Sequence, residues 1–194
     1  MHTDRIIRPA RADDLAGIHE IARSFGLLGA WPSGPDFLDR EHETGSLAVA
    51  TVDDRVVAFA GALRRGDLTH LGDLFVLRHH QSHGLGQELL DLVLAPGSPA
   101  VTFASADPRA VALYIRRGMR PRGVILYLAG GASRLDGPHA TVHAASSDHI
   151  ADLDTTVSGG SRTADLAPPL RSCPGSRPNA STPWCGCASA PVVP

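Results

Sequence analysis

The sequence predicts an α+β fold: a mixed, mostly antiparallel sheet flanked by helices. Two observations predict it. Three β-rich runs follow one another between residues 46 and 77, joined by short polar turns, and read as an antiparallel meander. Helical and β-rich segments then alternate, which calls for a parallel pair joined by a right-handed crossover.

Each element has its own signal. "RIIRPARADDLAGIHEIARSFG" reads as a short strand and then a helix, with Leu15, Ile18, Ile21, Ala22 and Phe25 at helical spacing. Asp13 and Asp14 suit that helix's N-terminus, and Gly26 its end. "GPDFLDREHETG" is a second, short helix, opened near Pro35 and closed by Gly45. The meander is "SLAVATV", "RVVAFAGALR" and "THLGDLFVL", with Asp53-Asp54 as the first turn. "GLGQELLDLVL" is a helix expected to bury Leu85, Leu89, Leu92 and Val93. "AVTFAS" is a strand. "DPRAVALYIRRG" is a helix with Asp107 as N-cap, Pro108 in the first turn and Gly118 as C-cap. "RGVILYLAG" is the final strand.

Bulk properties narrow the function. The chain has 194 residues, 43% of them hydrophobic and 20% charged, as in a globular protein with a real core. A net charge of −2 argues against a general nucleic-acid partner. No apolar run approaches the roughly 20 residues that span a bilayer, and residues 1–10 hold no apolar leader segment, so the cytoplasm is the expected location. All 18 basic residues are arginine, which with the abundant Ala, Gly and Pro suggests a GC-rich genome. The three cysteines, Cys173, Cys185 and Cys187, all lie near the end, so a disulfide framework for the main body is excluded and no metal is expected.

One stretch carries chemistry: "HHQSHGLGQELL", residues 79–90. Gly84 and Gly86 stand where a strand turns into a helix. Backbone N–H groups there, added to the helix dipole, make an anion site that can hold a pyrophosphate. The plainer reading is a loop that needs positive φ. His79, His80 and His83 do not share one helical face, which argues against a metal cluster.

The order of elements favours the anion site. Gln81-Ser82-His83-Gly84-Leu85-Gly86 resembles the Q/R-x-x-G-x-G/A pyrophosphate loop of the GNAT acyltransferase superfamily, and "LFVLRHH" before it is similar to that family's fourth strand. Residues 107–119, "DPRAVALYIRRGM", resemble its second signature through Ala110, Leu113, Tyr114 and Gly118, with Asp107 in place of Asn and Met119 in place of Phe. "IRPARADDLAGI" is similar to its opening strand and helix. The likeness covers about residues 5 to 130.

The resemblance implies transfer of an acetyl group from acetyl-CoA to an amine by direct attack in a ternary complex, without metal. It implies that Phe75, Val76 and Leu77 bind the pantetheine arm as a strand would. Val76 N–H would polarise the thioester carbonyl. Gln81, Ser82, His83, Gly84, Leu85, Gly86, Gln87 and Asp107 complete the expected cofactor contacts. Tyr114 would protonate the leaving thiolate; the alternative for it is a helix residue whose hydroxyl caps the core edge. Asp73 is the expected base acting through water, with His70 as runner-up, and either can also be read as a solvated strand residue. Two departures stand out. His83 fills a slot where arginine is common, and only one clear strand follows Gly118 where the family pairs two.

The acceptor pocket is expected in "SFGLLGAWPSGPDFLDREHE", where Trp31, Phe37, Asp36, Asp39, Glu41 and Glu43 hint at a cationic amine. The expected acceptor is a small-molecule or protein amine, with neither nucleic acid nor membrane as partner. Two other functions stay open: a non-catalytic acyl-CoA-binding or sensing module, and an inactive remnant of a tandem enzyme.

The expected organisation is an acyl-CoA-binding domain over 1–131, a partial second repeat of strand and helix over 132–167, and a disordered tail over 168–194. In the partial repeat, Ile150, Leu153 and Val157 give the helix an apolar side, expected to dock on the first domain or on a second copy in a homodimer. The tail holds seven prolines, three cysteines and no acidic residue. That composition cannot bury a core and suggests a frameshift, the alternative being an ordinary disordered tail.

Overall fold

The computed structural model describes residues 4–28, 36–126 and 147–158. The chain divides into two compact units, 1–122 and 123–194.

The first unit is built on a five-stranded sheet in the order β1-β2-β3-β4-β5. The strands are β1 (Arg5–Pro9), β2 (Ser46–Val52), β3 (Arg55–Arg65), β4 (Leu68–Val76) and β5 (Ala100–Thr102). β1 to β4 pair antiparallel, and β5 joins β4 in parallel through Thr69↔Ala100 to Leu71↔Thr102. The turn between β2 and β3 places Asp53 at φ 48° and Asp54 at φ 62°. Those are the left-handed values of a two-residue hairpin turn, and aspartate tolerates them better than most residues.

The period-2 alternation of β2 and β3 gives the sheet two different faces. Leu47, Val49 and Phe59 point to one side, where Ile18, Ile21, Ala22 and Leu38 cover them. These come from α1 (Leu15–Ser24) and α2 (Phe37–Thr44). Ala48, Ala50, Ala58 and Ala60 point to the other side. Their small side chains make room for α3 (Leu85–Val93), which seats Leu85, Leu89, Leu90 and Val93 on them. Leu92, expected inward, is 45% exposed, and Leu90 takes its place. Positions 85, 89, 90 and 93 share a helical face; Leu92 lies beyond its edge.

Arg8 on β1 fixes the start of α1. Its guanidinium grips Asp14 with two bonds, of 2.6 and 2.9 Å, while Asp14 also accepts from Arg11 N–H at 2.7 Å. These contacts, the Arg8 bond first, hold the Asp14 carboxyl below its ordinary range. α2 opens with a reciprocal cap. Asp36 accepts from the N–H groups of Leu38 and Asp39, and Asp39 accepts from Asp36 N–H. α4 (Pro108–Arg116) opens on Asp107, whose carboxylate accepts from Arg109 N–H at 2.9 Å.

The end of the sequence differs from expectation. "AVTFAS" forms a strand only over Ala100–Thr102, and Phe103 is 67% exposed. Residues 120–126 form no strand, so the strand expected over "RGVILYLAG" is absent as far as residue 126. Val124, Ile125 and Leu126 are exposed. β-rich composition alone does not make a strand. Residues 127–130 lie outside the described residues.

In the second unit, α5 spans Ser147–Ser158. It matches the helix expected there, but Leu153 and Val157 on its apolar side are exposed. The strand expected before it and the tail over 168–194 lie outside the described residues. Among the described residues, no helix is long and apolar enough to cross a membrane.

Candidate active site

The site forms where β4 leaves the sheet. β5 pairs with β4 only as far as Leu71. At Gly72 a bulge interrupts the β3–β4 register, which runs Gly61↔Asp73 and then Ala62↔Leu71. From there to Val76, no strand among the described residues lies beside the outer edge of β4.

Alternation along that edge sorts the backbone groups. Leu77 N–H donates to Val57 O at 2.9 Å, so Leu77 faces β3. Phe75, two residues back, faces β3 as well, opposite Phe59. Val76 therefore turns its N–H to the open edge. The expected strand-like use of all three residues reduces to Val76. Phe75 also sends its ring into the core, 5.1 Å from Phe25 and 5.5 Å from Phe59 between centroids.

The loop beyond β4 is an array of free donors. Ser82 (φ 66°) and Gly84 (φ 83°) are left-handed on either side of His83, a geometry that makes successive N–H groups converge. Gly84 is the N-cap of α3, and a glycine offers no side chain to the helix's first amides. The first bonds of the helix run from Gln87 and Glu88 N–H to Gly84 O. Among the described residues, none of the backbone N–H groups from Ser82 to Gly86 has an acceptor. Five donors at a helix start are suited to a di-anion.

The side chains around the loop hold it in place. Gln81 Nε2 donates to Val76 O at 2.9 Å, and Gln81 Oε1 accepts from Arg109 on α4. Arg5 on β1 donates to His83 O at 3.2 Å and pairs with Glu88. Asp107 is held by Arg109, 2.7 Å away, which keeps its carboxyl below the usual range. Of the expected cofactor contacts, Gln81 is engaged between Val76 of β4 and Arg109 of α4, and Asp107 is engaged with Arg109 at the start of α4. Gly86 serves packing, since a Cβ there would sit 3.2 Å from Leu113 Cδ2. Leu85 is buried, so only its backbone faces the loop. His83 is exposed and Gln87 half-buried.

Tyr114 packs from α4 against the cluster that includes Leu74, Val76 and Leu77. Burial, then the charge of Asp73, raises its hydroxyl's pKa above the ordinary value, so it stays protonated at neutral pH. Tyr114 is thus near enough to Asp73 to feel its charge, and it packs on the same core cluster as Val76.

Asp73 is 5% exposed, so the solvated reading does not apply to it. Its neighbour is Glu41 of α2, 2% exposed. Burial, the largest cause, raises both carboxyls well above the carboxylate range. The charge of Asp73 adds to the rise at Glu41. Glu41 Oε2 has no hydrogen-bond partner, and leaving such an atom buried costs about 1–3 kcal/mol. Sequence reasoning placed Glu41 only among the acids of an acceptor pocket. A fainter signal was Gly61 and Gly72, since a Cβ on either would run into the Glu41 carboxyl. His70, the other candidate base, lies against Phe103, 5.4 Å between ring centroids. Burial, with Arg65 adding, pushes its pKa down.

The remaining pocket acids behave differently. Asp36 and Asp39 cap α2, Glu43 is exposed, Phe37 lies half-buried against the α1–α2 core, and Trp31 lies outside the described residues. Among the described residues, the group whose ligand atoms lie close enough to share an ion is His19, Asp36 and Asp39, within 4.8 Å. His19 Nε2 stands 3.1 Å from Asp36 Oδ2, and both aspartates are engaged at the helix cap.

Comparison with known proteins bears on the family and the fold. The model of the acetyltransferase (GNAT) family matches residues 15–119. Among solved structures, the aminoglycoside N-acetyltransferase AAC(6')-Iy, in complex with a CoA-based bisubstrate analogue, superposes with TM-score 0.50 at 17% identity, over 66% of this chain and 99% of that one. A GNAT-family acetyltransferase from Streptococcus pneumoniae TIGR4 gives TM-score 0.50 at 16% identity, over 66% and 100%. A ribosomal-protein-alanine N-acetyltransferase from Brucella melitensis biovar Abortus 2308 gives 0.51 at 14%, over 65% and 99%. At these identities the structures speak for the fold, while the family match covers more than half of the chain. With that match spanning the strands and helices of the first unit, the chain belongs to the GNAT family of acetyltransferases.

Proposed function

We propose that the protein moves an acetyl group from acetyl-CoA to a cationic amine by direct attack in a ternary complex. The observation that carries this reading is the run of unpaired N–H groups from Ser82 to Gly86, beside the open edge of β4. The pyrophosphate of acetyl-CoA lies on that run, and the pantetheine arm follows the edge at Val76. Val76 N–H donates to the thioester oxygen as negative charge develops there. Tyr114 gives its proton to the departing thiolate. Asp73 accepts a proton from the ammonium before attack, which restores the nitrogen lone pair. Overall, the ammonium and the thioester become an amide and a thiol with release of one proton.

The carboxyls gathered at the start of α2 and on β4 favour a positively charged acceptor. The test is release of CoA thiol from acetyl-CoA across a panel of amines: diamines and polyamines, aminoglycosides, amino acids and peptide N-termini. At least one class should be acetylated by the wild type, with the rate lost in Tyr114→Phe. A folded protein that binds acetyl-CoA yet acetylates none of them would reduce the function to binding.

A further inference from the structure

Glu41 of α2 and Asp73 of β4 are both buried at the bulge, where the Glu41 carboxyl lies against Gly61, the cross-strand partner of Asp73, and Gly72, its chain neighbour. Two glycines make the space. A Cβ at Gly61 would stand 1.6 Å from Glu41 Oε2, and one at Gly72 would stand 2.4 Å from Oε1. Gly72 is itself exposed, between buried Leu71 and Asp73. The sheet is therefore hollowed to take a carboxyl, and the hollow is open on one side through a residue without a side chain. Glu41 Oε2, buried and unpartnered, is the orphan in that hollow.

We propose that Glu41 and Asp73 act as one proton-sharing pair, reached through the gap at Gly72, in which Glu41 stays protonated and holds Asp73 ionised as the acceptor of the ammonium proton. This rests on the acetyl-transfer reading above and adds Glu41 to it as a positioning residue acting through Asp73. Two neighbouring buried carboxyls do not both ionise, because each charge opposes the other. The pair keeps one proton. A hydrogen bond from Glu41 stabilises the remaining carboxylate, against the burial that would otherwise neutralise it.

The proton balance closes. An ammonium N–H proton passes to Asp73, directly or through one water at Gly72, and the pair goes from one proton to two. The freed amine attacks the thioester carbonyl and the carbon–sulfur bond breaks. Tyr114 gives its proton to sulfur and is restored by the second proton leaving nitrogen. The pair then returns its extra proton to solvent.

The groups acting on this pair are few. Asp36, at the start of α2, raises the proton affinity of both carboxyls, and it is itself 3.1 Å from His19. Tyr114, from α4, feels the charge of Asp73. Along β4, His70 is pushed down by burial and by Arg65.

The experiment has two arms. In wild-type protein carrying ¹³C-labelled Asp and Glu, the two carboxyl resonances should titrate in linked steps displaced upward; two independent titrations in the ordinary carboxylate range overturn the proposal. In the second arm, kcat/KM is measured against pH with acetyl-CoA and 1,4-diaminobutane as the probe. Glu41→Leu should move the acidic limb up by about one pH unit, since Asp73 loses its hydrogen bond, and Glu41→Gln, which keeps a donor, should return it to the wild-type position. An unmoved limb in Glu41→Leu overturns the pair's role even with linked titrations, and leaves acetyl transfer standing. No CoA release with the diamine or any other amine of the panel overturns acetyl transfer itself, and this inference with it.

Discussion

The two ends of β4 are built on opposite principles. The end proposed to take acyl-CoA is made of backbone. Five amides, an open strand edge and a glycine in the left-handed region sit within a dozen residues of one another. The end proposed to receive the amine is made of side chains. Glu41 and Asp73 lie far apart in sequence and come to the same bulge only through tertiary packing, in a space that Gly61 and Gly72 leave for the Glu41 carboxyl. The difference teaches where charge is placed. The backbone end offers fixed partial charges that need no titration, and it suits an anionic ligand. The side-chain end offers charge that depends on pH and on one packing arrangement, and it suits the part of the reaction in which a proton must move.

That contrast can be broken from either side. The largest effect should come from Tyr114→Phe, which stands between the ends. Turnover should fall by about 10²–10⁴-fold while acetyl-CoA affinity stays near wild type, because the hydroxyl matters only once sulfur carries charge. Steady-state rates together with calorimetry check this, and equal turnover in both proteins, with chemistry rate-limiting, would show that the thiolate leaves unaided.

Next is the acyl-CoA end. Gly84→Asp puts a carboxylate into the run of amides at φ 83°, with its Cβ 3.4 Å from Glu88 Oε1. Acetyl-CoA should bind at least about tenfold more weakly, about 1.4 kcal/mol.

The acceptor end should show itself in stability. Glu41 has its folded-state pKa raised, so folding holds a proton that the unfolded chain releases. That contribution is fully present below the ordinary carboxylate pKa and is lost as pH rises toward the raised one. Wild type should therefore lose stability relative to Glu41→Gln as pH climbs from about 5 to 8, with a slope of up to about 1.4 kcal/mol per pH unit. Urea unfolding at three pH values reads the slope. Parallel pH dependences in the two proteins would mean that Glu41 is an ordinary carboxylate.

The smallest effect belongs to Gln81→Ala. It removes the bridge from Val76 O to Arg109 and should cost about 0.5–1.5 kcal/mol of stability, read by the same unfolding curves, with acetyl-CoA affinity changed less than in Gly84→Asp.

The same contrast explains what the sequence revealed. The meander, the Asp53-Asp54 turn, the Asp107 cap and the Gly84 loop are local features, set by residues two to four apart, and each is where the sequence pointed. Asp73 was legible as a carboxylate near the bulge, but its burial was not, because nothing in "LTHLGDLFV" shows what α2 lays over it. Glu41 sat in a helix with polar residues on both sides, and only its docking on Gly61 and Gly72 marks it as buried. Gln81 matched a motif, while its side chain is spent on Val76 and Arg109. The strand expected beyond Gly118 had β-rich composition and failed as far as residue 126, since a strand requires an edge to pair with and composition does not show one.

The central claim is that acetyl-CoA is held by the backbone of residues 82–86, independently of the carboxyl pair. Calorimetric titration of acetyl-CoA into folded wild type, Gly84→Asp and Glu41→Gln tests it in one series. Wild type and Glu41→Gln should bind with equal affinity, and Gly84→Asp at least about tenfold more weakly. Wild-type affinity in Gly84→Asp would contradict it.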